Sequence, residues 1–185
     1  MRTTRLNLAI LIMTVSLSSA WAASVMSAEA VKYENSCKQA GGYFQYGTVN
    51  APPNSDYRDV VNFKRGKPLK GIPLSHTHIE ITSGLDGQVY DVAIDNVFAS
   101  DYNPRRRDIP ASYRQAITAG STLYFCGGNP GKEPYSTKGE HHAKQGFDWV
   151  HTNCESPGSK FADGWIYTDT GVNLTNSHTY CYLWK

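Results

Sequence analysis

Three histidines carry the chemistry that this chain of 185 residues offers most directly: His76, His78 and His151. His76 and His78 lie in Ser75-His76-Thr77-His78-Ile79-Glu80-Ile81-Thr82, a run in which Thr77, Ile79 and Ile81 alternate with His76, His78 and Glu80. Successive side chains on a strand point to opposite faces, so the two imidazoles share one face, about 7 Å apart. His151 lies in a second strand-like run, Trp149-Val150-His151-Thr152, which a folded sheet can bring alongside. Imidazoles change charge near neutral pH. One can therefore take a proton while another gives one, which is the requirement for acid–base cleavage of a phosphodiester. The cation that holds the phosphate is expected from Arg105, Arg106 and Arg107, or from Lys64 and Arg65. His76, His78 and His151 with Glu80 also make a ligand set for a divalent metal, a second route to hydrolysis through a metal-activated water. Acid–base work by histidine alone needs no cofactor. The plain alternative is that these are exposed strand histidines with no common site.

Other polar candidates carry less. Glu140-His141-His142 are adjacent and point apart in an extended chain. His178 stands in no motif, Asp148 either orients His151 or begins a strand, and Asp163-Gly164 reads as a turn. There is no G-x-S-x-G and no phosphate-cradling glycine loop before a helix. Tyr43, Phe44, Tyr46, Trp149, Trp165 and Tyr167 offer a different chemistry, a stacking surface for sugars or unpaired bases. Trp149 and Trp165 join the three arginines as candidate substrate-binding residues.

The elements that must position these groups follow from periodicity. His76–Thr82 and Gln88–Ile94 both alternate and are joined by Gly84-Leu85-Asp86-Gly87, an antiparallel hairpin. Ile109, Tyr113, Ala116 and Ile117 recur at helical spacing, with Asp108 as expected N-cap and Gly120 past the end. Residues 122–126, 147–152, 164–167 and 179–184 read as further short strands, and 127–146 as one long loop. A mainly β chain with one short helix inserted before its later strands is expected to form a small OB-like β-barrel, with a β-sandwich as the alternative. One barrel-like domain is expected over 31–185.

The N-terminus reads as a secretory signal over 1–22: Arg2 and Arg5, the apolar run Leu8–Leu17, then Ala20-Trp21-Ala22. A flexible leader is expected over 23–30. Of 18 Lys and Arg, two belong to that signal, which leaves basic and acidic residues in balance against 16 Asp and Glu. A generally basic polyanion binder is excluded; a nucleic-acid or oligosaccharide site has to be local. No later segment is apolar enough to span a membrane, so a secreted or periplasmic product is expected. Cys37, Cys126, Cys154 and Cys181 are then expected as disulfides. The pairing expected is Cys126–Cys154 across neighbouring strands and Cys37–Cys181 between the ends of the domain. Nothing in the sequence addresses oligomeric state.

Ser75–Ile81 followed by Gln88–Ile94, and Trp149-Val150-His151-Thr152 followed by Asp163-Gly164-Trp165-Ile166, resemble a family of small exported bacterial proteins with a domain of unknown function. The resemblance runs over residues 75–166, in the same order and with a helix like Ile109–Ala119 between the two motifs. This chain departs from the family in a longer loop at 127–146 and a C-terminal extension. The resemblance implies an exported, barrel-like fold with paired histidine motifs and implies no reaction. Two functions are therefore expected in competition. One is an exported phosphodiesterase or nuclease-like hydrolase, of the kind used as a toxin, effector or scavenging enzyme, working through His76, His78 and His151. The other is a non-enzymatic OB-like module that binds an oligosaccharide, a peptide or an envelope partner.

Overall fold

A computed structural model describes residues 26–53, 60–61, 74–106, 108–128, 131, 145–147, 149–154 and 163–184. The expected signal peptide, Lys64, Arg65, Arg107, Glu140-His141-His142 and Asp148 lie outside the described residues. The chain forms helix α1 (Ala28–Gln39), then strands β1 (Tyr43–Val49), β2 (Val60–Val61), β3 (Leu74–Ser83) and β4 (Val89–Asp95). Helix α2 (Ala111–Ala116) and strands β5 (Thr122–Gly127), β6 (Gln145–Phe147) and β7 (Trp165–Thr168) follow. The strands make one mixed sheet in the order β6-β4-β3-β1-β5-β7, with β2 paired to β3; among the described residues only the β4–β6 pairing is parallel.

The expected hairpin is present as β3 and β4, in register from His76 opposite Asp95 to Thr82 opposite Val89. Its turn is held by side chains. Ser83 Oγ accepts from Leu85 N, Asp86 Oδ1 accepts from Gln88 N, and Tyr90 Oη donates to Asp86 Oδ2 at 2.7 Å. Gly87 takes the positive φ of 69° that the turn needs.

One face of the sheet is the main core. Ile79 and Ile81 of β3, Tyr90, Val92 and Ile94 of β4, and Leu123 and Phe125 of β5 pack there against Ile109, Tyr113 and Ile117 from α2 and its flanks. Each fully buried aliphatic side chain of this set contributes about 1.5–3 kcal/mol. The opposite face is covered at β1, β5 and β7 by α1, whose Ala30, Tyr33 and Cys37 pack on Tyr124, Cys126 and Trp165. The hairpin's share of this second face holds the histidines.

Helix α1 begins where the flexible leader was expected. Ser27 Oγ caps it by accepting from Ala30 N, and Glu29 and Lys38 complement the helix dipole at its two ends. It stops in a Schellman motif: Gly42 N donates to Cys37 O, Gly41 N donates to Lys38 O, and Gly41 has φ 74°. Buried positions 30, 33 and 37 are a helical stripe inside a polar segment. Helix α2 is shorter than its pattern, and Asp108 does not cap it. The cap comes from a distant residue, because Asp101 accepts from both Ser112 N and Ser112 Oγ.

The fold is mainly β, but the sheet is open: among the described residues β6 and β7 end the strand order and do not pair with each other. The expected barrel is therefore not closed, and helices cover its faces. Residues 149–152 leave the expected strand after β6, since Trp149 has φ 58°, a left-handed conformation that breaks a strand. Cys181–Trp184 is a 3₁₀ turn rather than a strand.

The disulfides are Cys37–Cys126 and Cys154–Cys181. This replaces both expected pairs. Cys37 projects from the last turn of α1 onto β5, so Cys126 meets the helix and not a neighbouring strand. The Cα atoms are 5.4 Å apart in the first bridge and 5.0 Å in the second, within the reach of a disulfide.

Candidate functional site

Strand pairing builds the site. Residues directly opposite in an antiparallel pair share a face, so His76, His78 and Glu80 of β3 lie with Asp95, Ala93 and Asp91 of β4. His78 is opposite Ala93, whose methyl leaves room along the strand. Its Nδ1 reaches Asp91 Oδ1 at 2.9 Å, and the two side chains are 4% and 1% exposed. Glu80 leans the other way and accepts from Asn50 Nδ2 at 2.9 Å. His76, 17% exposed, places Nε2 3.0 Å from Asp95 Oδ1 as an ion contact not aligned as a hydrogen bond. His151 places Nε2 3.7 Å from Asp95 Oδ2. One buried carboxylate thus stands between two imidazoles, and a second imidazole–carboxylate pair lies beside it, the His76 and His78 rings 6.3 Å apart.

Asp95 ends β4, and the turn beyond it is fixed by a buried amide. Asn96 Oδ1 accepts from Thr77 Oγ1 at 2.6 Å, and Asn96 Nδ2 donates to Ser75 Oγ. His151 is positioned from three sides. Its Nδ1 donates to the Thr152 carbonyl at 2.9 Å, which assigns the tautomer, because a carbonyl can only accept. Nε2 therefore carries a proton towards Asp95 only when the ring is an imidazolium. The ring stacks on Phe98 at 3.9 Å and 7° and lies 4.9 Å from the Trp149 ring. The third support is Asp163-Gly164. Asp163 Oδ1 accepts from Asn153 N at 2.7 Å and from Thr152 Oγ1.

Gly164 is pressed against the same segment. A Cβ there would overlap the Trp149 carbonyl oxygen and lie 2.8 Å from Cys126 O and 2.9 Å from His151 N. All three neighbours are backbone atoms and cannot swing aside. Gly164→Ala is expected to cost about 1–3 kcal/mol through overpacking and to displace His151 from Phe98. Urea unfolding, with the His151 ring resonances as reporter, checks both; an unchanged midpoint with unchanged resonances would refute the close approach.

Burial alone would raise the Asp95 carboxyl. The charges of His76 and His151 and the contact with His76 outweigh burial and hold it below the ordinary aspartate range. The linkage sign follows. A carboxyl depressed in the folded state stabilises it fully above the unfolded value, about 3.9, and that stabilisation disappears as pH falls through the lower folded value. Wild-type protein is therefore expected to lose more stability between about pH 5 and pH 2 than Asp95→Asn, a comparison in which Asp86 and Asp101, also depressed, cancel. Parallel urea midpoints for the two proteins across that range would refute it.

The expected histidines thus come together in part. His76 and His151 meet at Asp95, whereas His78 is closed off with Asp91 and is not the exposed strand residue that alternation suggested. Among the described residues no group of three or more His, Cys, Asp or Glu side chains is arranged to hold a metal ion. His78 and Glu80 turn to Asp91 and Asn50 and do not share ligand directions with His76 and His151. Compared with protein-family models, curated proteins and solved structures, the chain matches none.

The expected substrate-binding set is dispersed. Arg105 and Arg106 are exposed. Arg106 lines a groove of ≈ 250 Å³ with Asp101, Asp108 and Arg114, and none of the described histidines lines it. Trp165 is buried beneath α1, its ring 5.5 Å from that of Tyr33. Phe44, Tyr46 and Tyr167 pack in the same cluster, so most of the expected stacking platform is helix-packing surface. Asp91 and Asp95 were missed as site residues. Their signal was present: spaced four apart on a strand, they share the face opposite Tyr90, Val92 and Ile94, which is the histidine face.

Proposed function

We propose that the chain is an exported hydrolase acting on phosphodiesters by acid–base catalysis, with His76 and His151 as the proton-transferring groups and Asp95 as the carboxylate that orients both. The observation that carries this reading is the buried Asp95 with an imidazole nitrogen towards each of its oxygens. A base oriented by a buried carboxylate is the recurring geometry of proton transfer at a reacting centre. His76, the more exposed imidazole of the two, serves as the base. His151, with its Nδ1 proton committed to Thr152, offers Nε2 alone and serves as the acid when charged. His78 and Asp91 act from beneath as support for β3. Export is supported by the signal-like N-terminus and by two disulfides. The resemblance to small exported bacterial proteins points the same way.

The competing reading is a non-enzymatic binding module whose polar cluster only organises the sheet. The low exposure of His78 and His151 favours it. The deciding experiment is incubation of the purified, oxidised protein with single- and double-stranded DNA and RNA, with and without a chelator. Cleavage that survives the chelator and disappears in His76→Ala supports the hydrolase. Intact substrates throughout, with a folded protein, would overturn it.

A further inference from the structure

We propose that the Cys154–Cys181 disulfide is a thiol–disulfide exchange site, opened by a dithiol reductant, whose opening releases His151 from its seat. The functional consequence rests on His151 belonging to the reacting cluster; the exchange chemistry does not.

The two bridges of this chain are unlike. Cys37 and Cys126 are both 0% exposed, sealed under α1 by Tyr33, Tyr124 and Trp165. Cys154 is half-buried at the edge of the small cluster of Val97, Phe98 and Leu183. Beside its partner stands an exposed imidazole, with His178 Nδ1 3.6 Å from Cys181 Sγ. Thiolate attack on a disulfide is assisted when the leaving sulfur is stabilised as an anion. Cys154, the less buried cysteine of this bridge, is the one assigned to attack by an external thiolate. As the new S–S bond forms there, the old one breaks and its electron pair leaves on Cys181 Sγ, where an N–H of His178 can donate to it. The second thiol of the reductant then attacks its own sulfur in the mixed disulfide and releases Cys154. The reductant departs as a disulfide, having given two electrons, and its two thiol protons end on Cys154 and Cys181.

Opening this bridge bears directly on His151. Cys154 lies three residues after His151, and Cys181 begins the 3₁₀ turn that places Leu183 on Phe98. Phe98 is the ring on which His151 stacks. Opening the bridge removes the covalent tie between the His151 stretch and the C-terminal turn and leaves non-covalent contacts, among them the buried Val150, the His151–Phe98 stack, and the hydrogen bonds of Thr152 N to Thr175 O and Asn153 N to Asp163 Oδ1. The sheet keeps its own bridge and its core, so the change is local.

The test uses the full oxidised protein under native conditions with graded dithiothreitol, an alkylating quench, peptide mapping and amide hydrogen exchange. Cys154 and Cys181 are expected to be alkylated at least roughly tenfold faster than Cys37 and Cys126, and His178→Ala is expected to slow that opening severalfold. Exchange is expected to rise at 149–154 and 96–98 but not in β3, β4 or β5, and to return on reoxidation. Simultaneous opening of both bridges, an unchanged rate in His178→Ala, or unchanged protection at 149–154 after opening would each overturn the proposal. None of these readouts uses a nucleic-acid substrate, so their failure is distinct from failure of the hydrolase reading.

Discussion

Asp95→Asn is expected to lower cleavage of a phosphodiester substrate by about 10²- to 10⁴-fold, the usual loss when a general acid or base is disabled. The amide keeps the size of the carboxyl but replaces two acceptor oxygens by one acceptor and one donor. Whichever imidazole meets the NH₂ group loses its anionic partner. If that ring is His151, its Nε2 accepts from the amide, because Nδ1 is committed to Thr152, and the ring is fixed as a neutral acceptor unable to donate. The loss should fall on kcat, with KM little changed, because Asp95 is buried and acts through the imidazoles rather than by touching the substrate. Stability should fall by about 1–3 kcal/mol, the usual cost when a buried polar group loses its partner. Steady-state kinetics with a urea titration of the same preparation separates the two effects. Full kcat in a folded Asp95→Asn protein would remove Asp95 from the mechanism, and with it the reason for grouping His76 with His151.

The largest expected stability effect belongs to the other disulfide. Cys37→Ser with Cys126→Ser opens a loop whose ends are 89 residues apart; by chain entropy that costs about 4.5 kcal/mol. Opening Cys154–Cys181, 27 residues apart, costs about 3.5 kcal/mol on the same basis. The first also frees α1, whose hold on the sheet is otherwise the apolar contact of Ala30 and Tyr33 with Tyr124 and Trp165. The midpoint of thermal unfolding should fall by roughly 10 °C or more for the Cys37/Cys126 variant, with α1 exchanging before the strands. A fall smaller than that of the Cys154/Cys181 variant would mean that the loop argument does not govern this protein.

The sequence by itself determined the hairpin and which residues share its faces. Period-two alternation is a property of the strand backbone, so Ile79 and Ile81 were readable as sharing one face with Tyr90, Val92 and Ile94, and His76, His78, Asp91 and Asp95 as one polar set. What lies over that set was not readable. Alternation says which side chains point the same way and not whether water or protein meets them, and a polar face suggests water. The closed His78–Asp91 pair shows the limit of that rule, since mutual hydrogen bonding offsets the cost of burying both groups.

Helix α1 was hidden by composition. Glu, Lys, Ser and Asn surround a buried stripe of only Ala30, Tyr33 and Cys37, and that stripe has meaning once β5 and β7 supply the surface it packs on. The cysteine pairing was open for a related reason. Strand neighbours favoured Cys126–Cys154, and only the placement of α1 across β5 brings Cys37 within 5.4 Å of Cys126. The meeting of His151 with Asp95 is likewise tertiary. It depends on Trp149 turning the chain out of β6 at a positive φ, on Gly164 admitting the backbone beside it, and on Phe98 supplying the ring beneath. No local propensity encodes these contacts, because each is made between segments far apart in the chain and exists only when the sheet has brought them together.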